Sequence, residues 1–205
     1  MDEFSLIKSI RQASYRRPEL QKGIGDDAAI FQVKEEQIVA AVDTFVDGIH
    51  FTKETLTAEQ IGRRLLAVNL SDMAAMGATP LFYLVSIVIP KHATRSFIEK
   101  IFSGMVALAK QYKIDLIGGD TVSGKELVIS LTILGSVPEG KARLRSEARP
   151  GDIVFVTGTL GDAAAGLELL LTNDQTLPEI DQQYLIKRHQ EPRPQISFAK
   201  ALRPL

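Results

Sequence analysis

Four segments place a carboxylate at the end of an apolar run, and this pattern limits the fold more than any other feature. They are Gly25-Asp26-Asp27, Val42-Asp43-Thr44 with Asp47 close behind, Asn69-Leu70-Ser71-Asp72 and Gly118-Gly119-Asp120-Thr121. Because strand ends and their turns often meet at one edge of a sheet, we expect these carboxylates to converge there. Carboxylates held together repel one another unless a cation lies between them. Mg²⁺ prefers oxygen ligands and leaves room for phosphate oxygens, so the pattern predicts a phosphoryl-transfer site.

A purely structural interpretation of each carboxylate also stays open. Asp beside Gly is a common turn residue, and Asp often caps backbone amides. Asp72 fits that interpretation less well, because it sits inside an apolar helical pattern between Leu70 and Met73. A carboxylate in such a setting needs a hydrogen-bonding partner or a metal.

The order of the predicted elements indicates an α+β fold, with helices on one side of a mixed or largely antiparallel sheet. Apolar periodicity and turn residues define these elements. Helices are predicted over 2–12, 57–77, 94–112, 163–171, 184–189 and 198–202, and strands over 28–31, 38–42, 81–89, 114–117, 127–134 and 153–156. The Pro150-Gly151-Asp152 turn predicts a boundary. Residues 1–150 are predicted to form the first domain, and residues 151–205 the beginning of a second α/β domain.

Composition excludes several classes of protein. Hydrophobic residues make up 45% of the 205-residue chain, enough for a sizeable core, and the net charge of −1 argues against a nucleic-acid-binding protein. The absence of cysteine excludes disulfides and thiolate metal sites, and it agrees with a reducing cytoplasm. No apolar run is long enough to span a bilayer, and the start of the chain does not resemble a signal peptide. We therefore expect a cytoplasmic protein without a membrane partner.

Familiar nucleotide-binding motifs are absent. The sequence has neither a Walker A motif nor the protein-kinase set. The segment 157–162, Thr-Gly-Thr-Leu-Gly-Asp, has two interpretations. It could hold a phosphate at a helix start, or it could be a tight strand-to-helix connection, for which glycine is the default residue.

Taken together, the motifs resemble the thiamine-monophosphate kinase family. The likeness covers nearly the whole chain in order, and single pieces recur in aminoimidazole ribonucleotide synthetase and selenophosphate synthetase. It is carried by the segments 2–7, 23–29, 42–51, 67–78, 116–121, 145–152, 156–159 and 184–189. The resemblance implies transfer of a phosphoryl group from ATP to thiamine monophosphate, giving thiamine diphosphate and ADP. It also implies several magnesium ions and a homodimer that pairs through a sheet.

Matching positions carry the family's site residues onto this chain. The resemblance implies that Mg²⁺ is bound by the side chains of Asp27, Asp43, Asp72 and Asp120 and by backbone carbonyls of Ala41 and Val42. Gly119, Asp120 and Arg145 match ATP-contacting positions, and a guanidinium can hold a phosphate in two places. His50 matches a position that contacts the acceptor substrate. The expected mechanism is direct in-line transfer with no covalent intermediate and no catalytic side chain beyond the metal ligands.

Other interpretations remain beside this one. A lone histidine after a strand is commonly a hydrogen-bonded structural residue; we keep that interpretation for His92 and His189. Asp26 and Asp47 are candidates for orienting the metal ligands. Family members are longer, and their second-half Asp-Ser-Asp-Gly and Gly-Gly-Glu-Asp type motifs do not occur here. The alternatives are therefore a non-catalytic nucleotide-binding and dimerisation module, or a related enzyme with a different acceptor.

Overall fold

The computed structural model shows a mixed α/β chain, which confirms the predicted fold class. It describes residues 3–11, 14–22, 24, 29–33, 35–172 and 176–202. The elements in chain order are α1 (Glu3–Ile10), β1 (Leu20–Lys22), β2 (Ile30–Phe31), β3 (Glu36–Val46), α2 (Ala58–Ala75), β4 (Thr79–Pro90), α3 (Arg95–Tyr112), β5 (Asp115–Gly124), β6 (Val128–Pro138), α4 (Asp162–Thr172), α5 (Glu179–Gln190) and α6 (Ile196–Ala201). A 3₁₀ turn covers Arg145–Glu147.

The main sheet has four strands in the order β3-β6-β4-β5. β6 pairs antiparallel with β3 and with β4, whereas β4 and β5 are parallel and are joined through α3. A parallel pair needs such a crossover, because a hairpin can join only antiparallel strands. β1 and β2 form a separate antiparallel pair.

The two long helices begin at side-chain caps and touch through glycine. Thr57 and Gln60 form a reciprocal capping box at the start of α2, and Thr94 caps α3. A Cβ on Gly62 would lie 1.9 Å from the carbonyl oxygen of Ile101, and a Cβ on Gly104 would lie 1.9 Å from that of Glu59. The helix backbones can approach this closely only because both positions lack a side chain.

The two faces of the main sheet differ. One face packs against α2 and α3 and buries alternate residues of each central strand, such as Val85 and Ile87 of β4 and Leu131 of β6. On the other face a smaller cluster around Phe82 and Ile117 packs against Phe31 and its neighbours. The remainder of that second face, which we call the open face, leaves apolar side chains exposed, among them Ile38, Val42 and Val122.

Strands β3 and β5 run further than the sequence predicted, past two of the candidate carboxylates. β3 continues through Asp43 to Val46, and β5 continues through Gly118-Gly119-Asp120 to Gly124. Both carboxylates were expected in turns, because Asp and Gly are poor strand formers. The continuous ladders with β6 and β4 override that local preference.

The strand predicted over 153–156 is wrong. These residues are irregular, and Ile153 and Val154 are 87% and 91% exposed. The physical reason is that a strand needs a neighbour for its backbone groups, and no strand of the described residues pairs with this segment.

The end of the described chain returns to the helical layer. Ile196 of α6 is 4% exposed within the main core, and the Tyr112 hydroxyl donates to the carbonyl of Pro194 at 3.1 Å. The side chain of Gln190 donates to the carbonyl of Thr55 at 2.9 Å. The division into 1–150 and 151–205 stays a prediction. No helix among the described residues is long and apolar enough to cross a membrane.

Candidate functional site

Two of the predicted metal ligands, Asp43 and Asp72, lie on the helical side of the sheet, near enough for the charge of Asp72 to act on Asp43. Asp43 lies in β3 two residues before Phe45, which is buried in the helix-side core, so both side chains lie on the face covered by α2. Asp72 lies near the end of α2 and is solvent-exposed. The structure thus brings together one carboxylate from the sheet and one from the helix.

The pKa of Asp43 is raised, and besides burial the nearby charge of Asp72 is one of the causes. Partial burial raises the pKa of Asp43, and the negative charge of Asp72 raises it further, while His50 acts in the opposite direction. Both causes of the increase make the ionised form unfavourable. A cation bound between the two carboxylates would remove the repulsion, so the pair fits a hard divalent ion.

Asn69 is a polar group in the same motif that sequence reasoning did not single out. It is completely buried in α2, and its Nδ2 donates to the carbonyl of Leu65 at 2.9 Å. Its Oδ1 is buried without a hydrogen-bond partner among the described residues. Asn69 and Asp72 are three residues apart and therefore share one side of the helix. The sequence signal was an amide inside an apolar helical run.

Among the described residues, no group of three His, Cys, Asp or Glu side chains could hold a metal.

Asp120 lies on the other face of the sheet. The register pairs Asp120 with Ser86 of β4, Ser86 with Ser130 of β6, and Ser130 with Thr44 of β3. Directly paired residues lie on the same face, and the hydroxyls of Thr44 and Ser130 are 2.8 Å apart. A row of polar side chains therefore crosses the open face from one edge strand to the other.

The expected convergence of these carboxylates at one sheet edge does not occur for Asp43 and Asp120. β3 and β5 are the two opposite edge strands, and the two side chains lie on opposite faces. The reason is that both residues sit inside strands, where side-chain direction alternates, and not in turns at strand ends. Val42 points to the open face and is 61% exposed, while Ala41 is half-buried on the helical side. Their roles as ligands stay predictions.

Gly119 and Arg145, predicted to contact ATP, lie in β5 and in the 3₁₀ turn. Gly119 is required by packing, because a Cβ there would lie 1.9 Å from the carbonyl oxygen of Val85. Arg145 is exposed in the 3₁₀ turn. Asp26 and Asp27 lie outside the described residues. The contacts with ATP and the ligand role of Asp27 stay predictions.

His50 occupies a tight turn directly after β3. Its Nδ1 lies 3.1 Å from the backbone nitrogen of Val46, and its ring stacks on Phe45. The ring is exposed, and His50 lowers the pKa of Asp43. His50 therefore lies beside the carboxylate pair.

Asp47 and His92 line a small cavity of about 130 Å³ together with Lys53, Pro90, Ala93, Thr94, Phe97 and Leu127. This cavity lies at the start of α3, which Thr94 caps. The role proposed for Asp47 in orienting metal ligands stays a prediction.

His189 is 5% exposed, and burial lowers its pKa, as expected for a structural histidine.

Asp115 is a buried ion-pair residue that the sequence analysis missed. It is 0% exposed, and its carboxylate accepts from the backbone N–H groups of Arg16 at 2.6 Å and Arg17 at 2.8 Å. The Arg16 guanidinium completes the pair at 2.8 Å. Burial, helped by the Asp115 charge, raises the pKa of Tyr83. Asp115 thus anchors residues 16–17 to the start of β5; an Asp at the head of an apolar strand was the available signal.

Comparison with known proteins places these features in a family. Residues 25–137 match the family model described as AIR synthase related protein, N-terminal domain. The chain is 48% identical to thiamine-monophosphate kinase of Bacillus subtilis (strain 168) over 204 residues, covering 98% of this chain and 62% of the relative. The chain thus spans about three-fifths of that relative's length.

Solved structures agree in fold. The crystal structure of thiamine-monophosphate kinase from Stenotrophomonas maltophilia K279a is 41% identical with a TM-score of 0.86, covering 100% of this chain and 65% of the other. AaThiL complexed with AMPPCP and TMP is 32% identical with a TM-score of 0.76, covering 89% of this chain and 58% of the other.

Proposed function

The chain belongs to the AIR synthase related protein family, and from this membership we propose that it acts in the ATP-dependent phosphorylation of thiamine monophosphate. The observation that carries the proposal is the placement of Asp43 in β3 and Asp72 in the covering helix α2, where the charge of Asp72 acts on Asp43. The 48% identity to a thiamine-monophosphate kinase and the AMPPCP and TMP bound by AaThiL support the choice of substrates.

In the proposed reaction, a phosphate oxygen of thiamine monophosphate attacks the γ-phosphorus of ATP in line. The new phosphorus–oxygen bond forms as the bond to the β-phosphate breaks, so the products are thiamine diphosphate and ADP. Such transfers depend mainly on positioning and on neutralising charge. The chain would contribute oxygen ligands, a donor at His50, and phosphate contacts at Gly119 and Arg145.

We propose Mg²⁺ as the metal that the reaction uses. Asp43 and Asp72 would hold one ion from the helical side, with Asp27 supplying a further carboxylate and Ala41 and Val42 supplying backbone carbonyls. Asp120, on the open face, would bind a separate ion. When bound, Mg²⁺ would neutralise the negative charge of the phosphates. The raised pKa of Asp43 and the unpartnered Oδ1 of Asn69 support an electropositive occupant near this end of α2.

A homodimer formed through the open face of the sheet is also part of the proposal. Ile38 and Val42, which are four residues apart and share one face of the edge strand β3, are 49% and 61% exposed. A second copy would cover this face, which α2 and α3 leave uncovered. Light scattering should give the mass of a dimer, and Val42→Asp should shift it toward the monomer. A monomeric parent chain would refute the pairing.

The cysteine-free composition agrees with a cytoplasmic location, which we also propose.

The decisive experiment incubates the chain with ATP, Mg²⁺ and thiamine monophosphate and measures thiamine diphosphate by chromatography. Asp43→Asn and Asp72→Asn should each abolish turnover, and Asp120→Asn should nearly do so. The matched control is Asp181→Asn, which removes an exposed carboxylate of α5 and should leave turnover unchanged. If the parent makes no product but binds ATP only with Mg²⁺, the chain is a nucleotide-binding module. Unaltered turnover in Asp72→Asn would refute the metal assignment.

A further inference from the structure

In the turn after β3, His50 makes two hydrogen bonds to Val46, one through its backbone and one through its side chain. β3 is an edge strand, so at alternate positions its N–H and C=O groups point away from β6. At Val46 both groups are used: the N–H donates to Nδ1 of His50 at 3.1 Å, and the C=O accepts from the backbone N–H of His50 at 2.9 Å. The imidazole is therefore tied to the last residue of the strand.

A second contact determines the plane of the imidazole ring. The rings of Phe45 and His50 are stacked, with centroids 5.6 Å apart and planes inclined by 6°. Phe45 is itself 7% exposed and is packed in the helix-side core, so it is a rigid support. The hydrogen bond at Nδ1 and the stacking contact together leave the ring one orientation.

The hydrogen bond also selects a tautomer. A neutral imidazole carries one N–H, and the nitrogen that accepts a hydrogen bond is the one without a proton. Because Nδ1 accepts from Val46, the proton of the neutral ring is on Nε2. His50 is exposed, so this Nε2–H is a donor available to a ligand.

We propose that Phe45 is a positioning residue that, together with the Val46 N–H, holds His50 as an Nε2–H donor for an oxygen of the acceptor substrate. The substrate contact rests on the function proposed above, whereas the ring orientation rests on this chain alone. Asp43 lies two residues before Phe45 on the same face of β3. The donor is thus held beside the carboxylate pair.

Nuclear magnetic resonance of ¹⁵N- and ¹³C-histidine-labelled chain tests the ring directly. The sequence has only three histidines, and the signal lost in His50→Gln identifies His50. In the parent chain we expect an unprotonated Nδ1, a protonated Nε2 and a rigid ring in relaxation measurements. A protonated Nδ1, or a freely moving ring, in the parent chain would overturn the proposal.

Variants then separate positioning from general packing. Phe45→Leu removes the stacking ring and should give a mobile His50 with mixed tautomers. The matched control is Phe51→Leu, since Phe51 is 4% exposed in the same core and its ring centroid lies 6.3 Å from that of Phe45. Phe51→Leu should keep the ring order, and Phe45→Tyr, which retains an aromatic face, should restore it. Equal ring order in Phe45→Leu and the parent, with melting confirming a folded chain, would also overturn the proposal.

Ligand binding distinguishes this inference from the proposed function. Thiamine monophosphate should shift the Nε2 signal of His50, and Phe45→Leu should weaken that binding about two- to tenfold. Inorganic phosphate serves as the comparison ligand. An ordered ring whose signal does not respond to thiamine monophosphate refutes the substrate contact of the proposed function. A disordered ring in the parent refutes the positioning role of Phe45.

Discussion

Gly104→Ala should destabilise the chain, although alanine favours helix. The added Cβ would lie 1.9 Å from the carbonyl oxygen of Glu59, whereas ordinary van der Waals contacts start at 3.4 Å. The two helices would therefore have to separate by about 1.5 Å, and a gap of that size removes much of the dispersion energy of a packed interface. The neighbouring atoms are backbone, so no side chain can rotate to make room.

The size of the expected destabilisation follows from two opposing contributions to the free energy of unfolding. Overpacking a well-packed contact costs about 1–3 kcal/mol or more, and we take the upper part of that range because helix backbone must move. Replacing glycine by alanine within a helix returns about 1 kcal/mol. The net destabilisation is then about 2 kcal/mol, which for a chain of this size lowers Tm by about 4–8 °C.

Thermal melting followed by far-UV circular dichroism measures the change. Ser103→Ala is the matched control, because Ser103 is the adjacent residue of α3 and is exposed. It should alter the free energy of unfolding by less than about 0.5 kcal/mol. A Gly104→Ala chain that melts at or above the temperature of the parent would refute the argument that glycine is needed for the α2–α3 contact.

Three further outcomes are expected. Asp115→Asn should lower the free energy of unfolding by about 3 kcal/mol in urea titrations, because it breaks a buried pair with Arg16; an unchanged midpoint would contradict this. The raised pKa of Asp43 means that the folded chain loses stability as pH rises through that pKa, so Asp43→Asn should raise Tm at neutral pH. The gain should vanish below about pH 4, and Mg²⁺ should raise the Tm of the parent but not of Asp43→Asn. Val154→Lys should leave Tm unchanged and reduce binding of a hydrophobic dye, because Val154 is 91% exposed; unreduced binding would place the dye site elsewhere.

Long periodic patterns made the helical layer predictable. The apolar spacing of α2 and α3 and their threonine caps are local signals, and the helices begin within one residue of the predicted starts. The strand over 153–156 failed because a strand depends on a neighbour that local sequence does not show. β1 was missed because its three residues, Leu20–Lys22, are too few to show an alternating apolar pattern.

The sequence indicated which residues to consider for the candidate site, and their roles stay predictions, but it could not indicate how they are arranged. The Asp72 motif stood out because a carboxylate interrupts an apolar helix, and the structure brings it to Asp43. The faces of Asp43 and Asp120 could not be assigned, since a shift of one residue in register moves a side chain to the other face. Register depends on pairing between β4, β5 and β6, which are distant in sequence.

The return of α6 to the helical layer has a consequence for synthesis on the ribosome. The last strand of the main sheet ends at Pro138, but the core also contains Ile196. At about 5–20 residues per second, the roughly 60 intervening residues take several seconds to be made. During that interval the sheet can form while part of the apolar surface beside α2 stays uncovered, so the nascent chain has a window in which chaperones can engage it.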